Sequence, residues 1–368
     1  MTEGIQRVAI NTGGGDAPGL NAVIRAAVVA GLRRGWQMVG IRDGYNGLLE
    51  PDRYPEGGVI PLARESVRGI THLGGTILGT TNKGNPLAFP VLKEDGTTEI
   101  VDRSDEIIAS LDEQGIDALI AIGGDGSLGI ANVLAQKGAR VIGVPKTIDN
   151  DLEETVVTFG YDSAVAFATE CIDRLHTTAE AHDRVMVVEV MGRYAGWIAV
   201  GAGVAATADA ILIPEIPYQL DPVAEKIMAR ERAGREFSIV VVAEGAHERD
   251  GERSVVEKKE GRAERLGGIG ERVARRLAEM TGKDTRLVNL GHLLRGGGPT
   301  ARDRLLSLRF GAAAIRGLAG GCEGCMVALD PPDVRYVPLS RATRRIKTVP
   351  LDSDLMCTAR ELGICFGD

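Results

Sequence analysis

The run Asp117-Ala118-Leu119-Ile120-Ala121-Ile122 is short, apolar and cut off by two glycines, Gly123 and Gly124. No other feature constrains the chain as much. A continuous apolar strand is buried on both faces, as in a parallel sheet, and glycines directly after it mark a tight turn. Val141-Ile142-Gly143-Val144 repeats the pattern and leads into Pro145-Lys146-Thr147-Ile148-Asp149-Asn150-Asp151. If these strands share one parallel sheet, both turns open at its carboxyl edge, where doubly wound folds bind their ligands. Asp125, Asp149 and Asp151 then stand beside glycine-rich turns with Ser127, Lys146 and Thr147. Bare backbone amides with Asp, Thr and Lys suit a polyphosphate and its magnesium ion.

The same order of strand, glycine turn and helix opens the chain. Arg7 to Asn11 reads as a strand, Gly13 to Gly19 as a turn and Leu20 to Arg33 as an amphipathic helix. Further strands are expected at Gln37-Ile41, Leu119-Ile122, Val141-Val144, Val185-Val190, Ala210-Ile213, Ser238-Ala243 and Arg286-Leu290. Strands alternating with helices predict an α/β fold with mainly parallel sheets covered on both faces. A chain of 368 residues, 44% of them hydrophobic, is long enough for two such domains, each with its own core. The segment from Glu248 to Gly268, rich in Lys, Glu, Arg and Gly, reads as an exposed loop beside the second domain.

A net charge of −8 argues against a nucleic-acid partner, although a local basic site for a small phosphorylated substrate is compatible with it. The cysteines at 171, 322, 325, 357 and 365 are odd in number and lack framework spacing, which fits a reducing cytoplasm. Cys322 and Cys325 have the spacing of half a zinc site, but no second pair follows. The amino terminus has no basic-then-apolar leader, and no apolar run approaches the roughly 18 residues of a membrane span.

Each motif also has a plainer reading. Gly13 to Asn21 matches neither a P-loop nor a Gly-x-Gly-x-x-Gly fingerprint and would serve equally as a tight βα turn. Gly124-Asp125-Gly126-Ser127 lets a phosphate approach the backbone while Asp125 holds magnesium, or it is a capped turn before a helix Leu128-Leu134. Asp149 and Asp151, two residues apart, would point the same way in an extended segment, so that one takes a proton while the other orients it; a surface turn has similar composition. Arg184, Arg286, His292 and Arg295 would form a cationic socket for a phosphate monoester, or separate surface ion pairs.

Taken in order, the motifs resemble those of the phosphofructokinase family, from Ile5 to about Leu308. The resemblance rests on Gly14 to Asn21, Gly74 to Gly79, Gly123 to Ser127, Pro145 to Asp151, Val188 to Tyr194 and Leu290 to Gly297. It implies a phosphofructokinase-like pair of similar three-layer domains and phosphorylation of fructose 6-phosphate to fructose 1,6-bisphosphate. By the same resemblance Asp149 is the base for the sugar 1-hydroxyl and Asp151 assists it. Asp125 engages magnesium, Thr147 and Gly15 meet the transferring phosphoryl group, and Arg193 meets its developing charge. Gly124, Gly126, Ser127, Asn82 and Lys83 belong with the donor. Met191, Gly192, Glu244, His292 and Arg295 hold the sugar phosphate, with Arg184 and Arg286 reaching in from a neighbouring subunit of a dimer or tetramer.

Where many ATP-dependent bacterial members carry a bridging arginine, this chain has Thr80-Thr81-Asn82-Lys83. Donor choice in the family follows two positions, and here they are mixed: Gly126 as in ATP users, Lys146 as in pyrophosphate users. An aspartate at 126 would repel the α-phosphate of a nucleotide, and glycine leaves room, so ATP is the expected donor. The family's effector site keeps Arg25, but Val29, His176 and Ala233 replace other basic residues, which argues against the usual bacterial regulation. The expected division places donor binding in residues 1–160 with 299–350, and sugar-phosphate binding in 161–298 with 351–368.

Overall fold

The computed structural model describes residues 4–93, 95–249, 251, 255–257 and 265–368. Two open sheets organise the chain. The larger runs in the order Asp333–Pro338, Cys325–Asp330, Val141–Thr147, Ala118–Gly123, Arg7–Thr12, Gln37–Ile41 and Val59–Pro61, with Phe159–Gly160 beside Val141–Thr147. Its five central strands are parallel, and the two edge strands are antiparallel. The smaller sheet, in the order Ala210–Leu212, Ser238–Ala243, Val185–Val190 and Thr285–Asn289, is parallel throughout.

Side chains alternate across a strand, so an apolar run feeds two cores at once. Val8 and Ile10 pack with Leu20, Val23 and Phe310 from the helices Leu20–Leu32 and Ala301–Ala319, whereas Ala9 faces Ile107 and Leu128 of the helices Ser104–Glu113 and Asp125–Gln136. In the smaller sheet Val188 and Val190 meet helices Tyr161–Glu180 and Trp197–Ala205, and Val185 and Val187 meet Leu220–Arg232 and Ile269–Thr281. Each sheet is therefore the middle of three layers, the α/β architecture that the sequence predicts. Helix Leu20–Leu32 shows why: Leu20, Val23, Ile24, Ala27 and Val28 recur at helical spacing and are all buried. Phe310 lies fully buried against that stripe, and its truncation to alanine would cost about 3–5 kcal/mol.

Two expectations need correction, and two strands went unread. The helix after the second glycine turn begins at Asp125, not Leu128, because Gly124 takes the extended capping conformation and an acidic first residue suits the positive end of the helix. The segment from Glu248 to Gly268 is not wholly loop: Val255–Glu257 pairs antiparallel with Arg265–Leu266, while residues 250, 252–254 and 258–264 lie outside the described residues. The antiparallel ladders at the edges of the larger sheet, Val59–Pro61 and Asp333–Pro338, carry too little apolar periodicity to be read in advance. Among the described residues, no helix is long and apolar enough to cross a membrane.

Candidate active site

Parallel strands deliver their following residues to one edge. Gly13 follows Arg7–Thr12, Gly124 follows Ala118–Gly123, and Ile148 follows Val141–Thr147; in the smaller sheet Met191, Glu244 and Leu290 follow Val185–Val190, Ser238–Ala243 and Thr285–Asn289. The first two turns interlock. Gly13 donates its amide to Ile122 at 2.9 Å, and a Cβ on Gly123 would lie 2.2 Å from the Cβ of Ser127, so only glycine permits the approach. The amides of Asp125, Gly126 and Ser127 precede the first intrahelical bond, from Leu128 to the Gly124 carbonyl at 2.9 Å, and have no partner among the described residues, as an anion site requires.

A cavity of about 440 Å³ opens in front of them. Gly13, Gly14, Asn82, Lys83, Gly126 and Ser127 line it, and so do Tyr45, Asn46, Pro86 and Ile130, which sequence reasoning missed. The available signal was another glycine turn at a strand end, Asp43-Gly44 after Gln37–Ile41, with positive φ at both residues. Gly14 accepts the Thr80 hydroxyl at 2.6 Å and donates its amide to the Thr81 carbonyl at 3.0 Å, which ties the segment around Asn82 and Lys83 to the first turn. A Cβ on Gly126 would meet nothing within 4 Å.

The pair Asp149 and Asp151 does not lie on an extended segment, contrary to expectation. Strand Val141–Thr147 ends first, the Asp149 amide turns back to the Thr147 hydroxyl at 3.1 Å, and Asn150 adopts φ 52°. Asp151 still acts on Asp149. Their Oδ1 atoms are shielded from solvent and accept no hydrogen bond among the described residues. Burial and then Asp151 push Asp149 well above the ordinary carboxylate range, against the pull of Arg295 and Arg193. Burial likewise raises Asp151, opposed by the Thr147 hydroxyl, Lys146 and Lys347. Burial and Asp151 also raise Asp125. Lys146, almost wholly buried, is pulled down to about 8 by burial and by Arg295, and its ammonium donates to the Gly15 carbonyl.

Arg295 crosses from the smaller sheet to the first turn. Its Nη1 donates to the Asp16 carbonyl at 3.1 Å, and a Cβ on Gly15 would come within 2.5 Å of that atom. Nearby, Gly192 at φ 142° lets Gly245 donate to its carbonyl at 3.1 Å, which seats Glu244 beside Met191 and Arg193. Burial raises the Glu244 carboxyl, with Arg193 opposing. The Arg193 Nε is shielded and has no partner among the described residues. His292 is exposed on the short turn Gly291–Arg295.

One expectation fails within a single chain. Arg184 precedes strand Val185–Val190 and Arg286 stands near the start of Thr285–Asn289, so both lie at the opposite end of the smaller sheet from His292 and Arg295. They share Asp284 instead, Arg184 Nε at 2.6 Å from Oδ2 and Arg286 Nη2 at 2.9 Å from Oδ1. A strand of six residues spans about 20 Å, so the four cations cannot form one socket in one subunit.

Magnesium needs few protein ligands when phosphate oxygens complete its shell. Among the described residues no three His, Cys, Asp or Glu side chains converge as a metal cage. Asp125, raised by burial and by Asp151 and standing at the helix start that faces the cavity, fits the smaller role.

Comparison with known proteins shows the family. The family model described as Phosphofructokinase matches residues 7–318. An ATP-dependent 6-phosphofructokinase of Chloroflexus aurantiacus is 52% identical over 363 residues, 99% of this chain and 98% of the relative. A pyrophosphate–fructose 6-phosphate 1-phosphotransferase of Amycolatopsis mediterranei is 49% identical over 350 residues, 94% of this chain and 97% of the relative. The crystal structure of Pichia pastoris phosphofructokinase in the T-state superposes with a TM-score of 0.79 at 30% identity, covering 94% of this chain and 36% of the longer yeast chain. With the family's motifs in order on its fold, the chain belongs to the phosphofructokinase family.

Proposed function

We propose that this protein is an ATP-dependent 6-phosphofructokinase, which transfers the γ-phosphoryl group to the 1-hydroxyl of fructose 6-phosphate in glycolysis. The observation that carries the reading is the pair of shielded carboxylates, Asp149 and Asp151, beside a helix start that opens onto the donor-sized cavity. Relatives 52% and 46% identical over almost the whole chain bear that name, in support.

Phosphoryl transfer demands little covalent help; positioning and neutralisation of charge supply most of the acceleration. Asp149, whose burial and whose neighbour Asp151 raise its affinity for protons, takes the hydroxyl proton, and Asp151 orients it. Thr147 and the Gly15 amide face the transferring group, with Lys146 beneath that turn. Arg193, with its unpartnered Nε, answers the negative charge that develops during transfer. A magnesium ion, held by Asp125 and the phosphates, would neutralise the donor's charge. Gly124, Gly126, Ser127, Asn82 and Lys83 hold the donor, while Met191, Gly192, Glu244, His292 and Arg295 hold the sugar phosphate.

In this reading residues 1–160 with 299–350 serve the donor, and 161–298 with 351–368 serve the sugar. Arg184 and Arg286 complete the site of a neighbouring subunit in a cytoplasmic dimer or tetramer. Pyrophosphate is the second reading for the donor, favoured by Lys146 and by the Amycolatopsis relative. Gly126 weighs for ATP, because a nucleotide's α-phosphate meets neither bulk nor charge there. Measuring kcat/KM with ATP and with pyrophosphate, at saturating fructose 6-phosphate and magnesium, decides between them. The proposal fails if pyrophosphate is preferred.

A further inference from the structure

Ile346 to Val349 is the thread that ties the catalytic turn to the smaller sheet's helices. Ile346 bridges Leu152 antiparallel, and the Lys347 amide donates to the Asp151 carbonyl at 2.8 Å. In the other direction Trp197 Nε1 donates to the Lys347 carbonyl at 2.9 Å. The Val349 amide donates to Glu215 Oε1 at 2.9 Å, and the same carboxylate accepts the Gly196 amide at 3.0 and 3.1 Å. One short segment therefore grips both halves of the cleft.

The Lys347 ammonium is turned inward. It has three donors and all three are used: Asn150 Oδ1 at 2.9 Å, the Thr155 carbonyl at 3.0 Å and the Val156 carbonyl at 3.2 Å. Asn150 Oδ1 also accepts the Thr158 amide at 3.1 Å, so this side chain, buried to 3% exposure, is pinned from both sides. Asn150 carries the positive φ that separates Asp149 from Asp151. Asparagine adopts left-handed backbone more readily than other non-glycine residues, and Lys347 and the Thr158 amide fix its side chain in that turn.

A buried ammonium is costly unless paired. Burial draws Lys347 down to about 8, and Asp151 and Glu153 pull it back toward the charged form. The Trp197 ring, with its centroid 5.4 Å from Nζ, adds a cation–π contact. A lysine needed only to dock the tail would be served as well by an apolar side chain, since a buried charge is a weak source of stability.

We propose that Lys347 is a positioning residue for phosphoryl transfer. Its ammonium fixes the turn that carries Asp149 and Asp151 and supplies a compensating charge beside Asp151, while the backbone of its own segment ties that turn to Trp197 and Glu215 across the cleft. The inference rests on the reading of Asp149 as the base. It assigns Lys347 no contact with substrate, so its loss changes the geometry and charge of the base but not the binding surfaces.

The test is steady-state kinetics of Lys347→Met with fructose 6-phosphate, ATP and magnesium, beside the parent and Asp149→Ser. Misplacement of a reacting group by about 1 Å costs up to about a hundredfold, so kcat of Lys347→Met should fall at least about tenfold, with both KM values within about threefold. A kcat within about threefold of the parent, or a loss carried mainly by KM, overturns the proposal. If Lys347→Met does not fold, Asn150→Gly replaces it, because glycine adopts the left-handed turn freely while deleting the acceptor of Lys347. That variant should lower kcat by about fivefold or more with KM retained, and a parental kcat overturns the proposal equally. Asp149→Ser separates the two failures. If it is inactive while Lys347→Met is parental, only the role of Lys347 falls; if it keeps parental turnover, the reading of the base falls with it.

Discussion

The two ends of the smaller sheet handle charge in opposite ways. At its carboxyl edge, facing the larger sheet, Arg193 and Glu244 sit half-buried with Asp149 and Asp151, and several of their polar atoms are shielded and have no partner among the described residues. At its amino edge Arg184 and Arg286 are paired with Asp284 and reach solvent, Arg286 with 59% of its side chain exposed. The first arrangement is strained electrostatically and fits reacting atoms; the second is satisfied and fits a surface awaiting a partner. Unpaired buried groups are expensive to keep, so they mark where a ligand supplies the missing interactions.

The sharpest way to break this contrast is at the buried end. Asp149→Ser removes the proton acceptor but leaves a small polar group, and turnover should drop at least about a hundredfold with little change in sugar KM. Turnover within about threefold of the parent would remove Asp149 from the mechanism.

Next in size is the donor side. Gly126 faces the cavity with open space around its Cα, so Gly126→Asp would be tolerated by the fold and would project a carboxylate toward an incoming nucleotide. Like charges brought together cost on the order of several kcal/mol, which should all but abolish ATP use. Pyrophosphate has no α-phosphate of a nucleotide to clash, and with Lys146 already present weak pyrophosphate activity should emerge. Near-parental kcat/KM for ATP in the variant would show that this position does not govern the donor.

A smaller effect belongs to the exposed end. Arg184→Ala or Arg286→Ala should raise the sugar KM by roughly tenfold, the scale of one charge-assisted bond to phosphate, while the ATP KM stays put. Mixing Arg184→Ala subunits with Asp149→Ser subunits checks whether the arginines act across an interface. Assayed at sugar concentrations well below the parental KM, where Arg184→Ala keeps only about a tenth of the parental rate, hybrids should exceed the average of the two variants, and co-assembled hybrids that do not would place the arginines outside the neighbour's site.

Much of this was legible because parallel strands announce themselves. Val185–Val190, Ser238–Ala243 and Gln37–Ile41 coincide with the runs read from sequence, since continuous burial demands continuous apolar residues. The residues expected at the carboxyl edge, among them Asp125, Asp149 and Arg295, are brought there by the ends of Ala118–Gly123, Val141–Thr147 and Thr285–Asn289. Ile130 was not legible as a cavity residue, for it is an unremarkable side chain on a helix until the cavity is seen, and Tyr45 was announced only by the Asp43-Gly44 turn before it. Lys347 was equally silent: its partners are an amide oxygen and backbone carbonyls nearly two hundred residues away, and no local pattern records such a pairing. The separation of Arg184 and Arg286 from Arg295 follows from strand direction, since the first two stand before or at the start of their strands and Arg295 stands beyond the end of one.

The smallest effect tests what Asp284 does between its two arginines. Both guanidinium groups are held by one carboxylate at 2.6 and 2.9 Å, on a surface where such pairs contribute about 0–1 kcal/mol. A phosphate dianion seeking the same arginines would have to displace or share that carboxylate, whose like charge repels it. Asp284→Asn removes the repulsion and keeps the size, so the sugar KM should fall by about two- to fivefold, with kcat and the ATP KM unchanged. The gain should shrink as salt is added, because an exposed pair is screened within a Debye length of about 10 Å at 0.1 M. A rise in sugar KM would mean that Asp284 positions the arginines for their ligand instead of competing with it, and the amino edge would then be a preorganised half-site like the buried end.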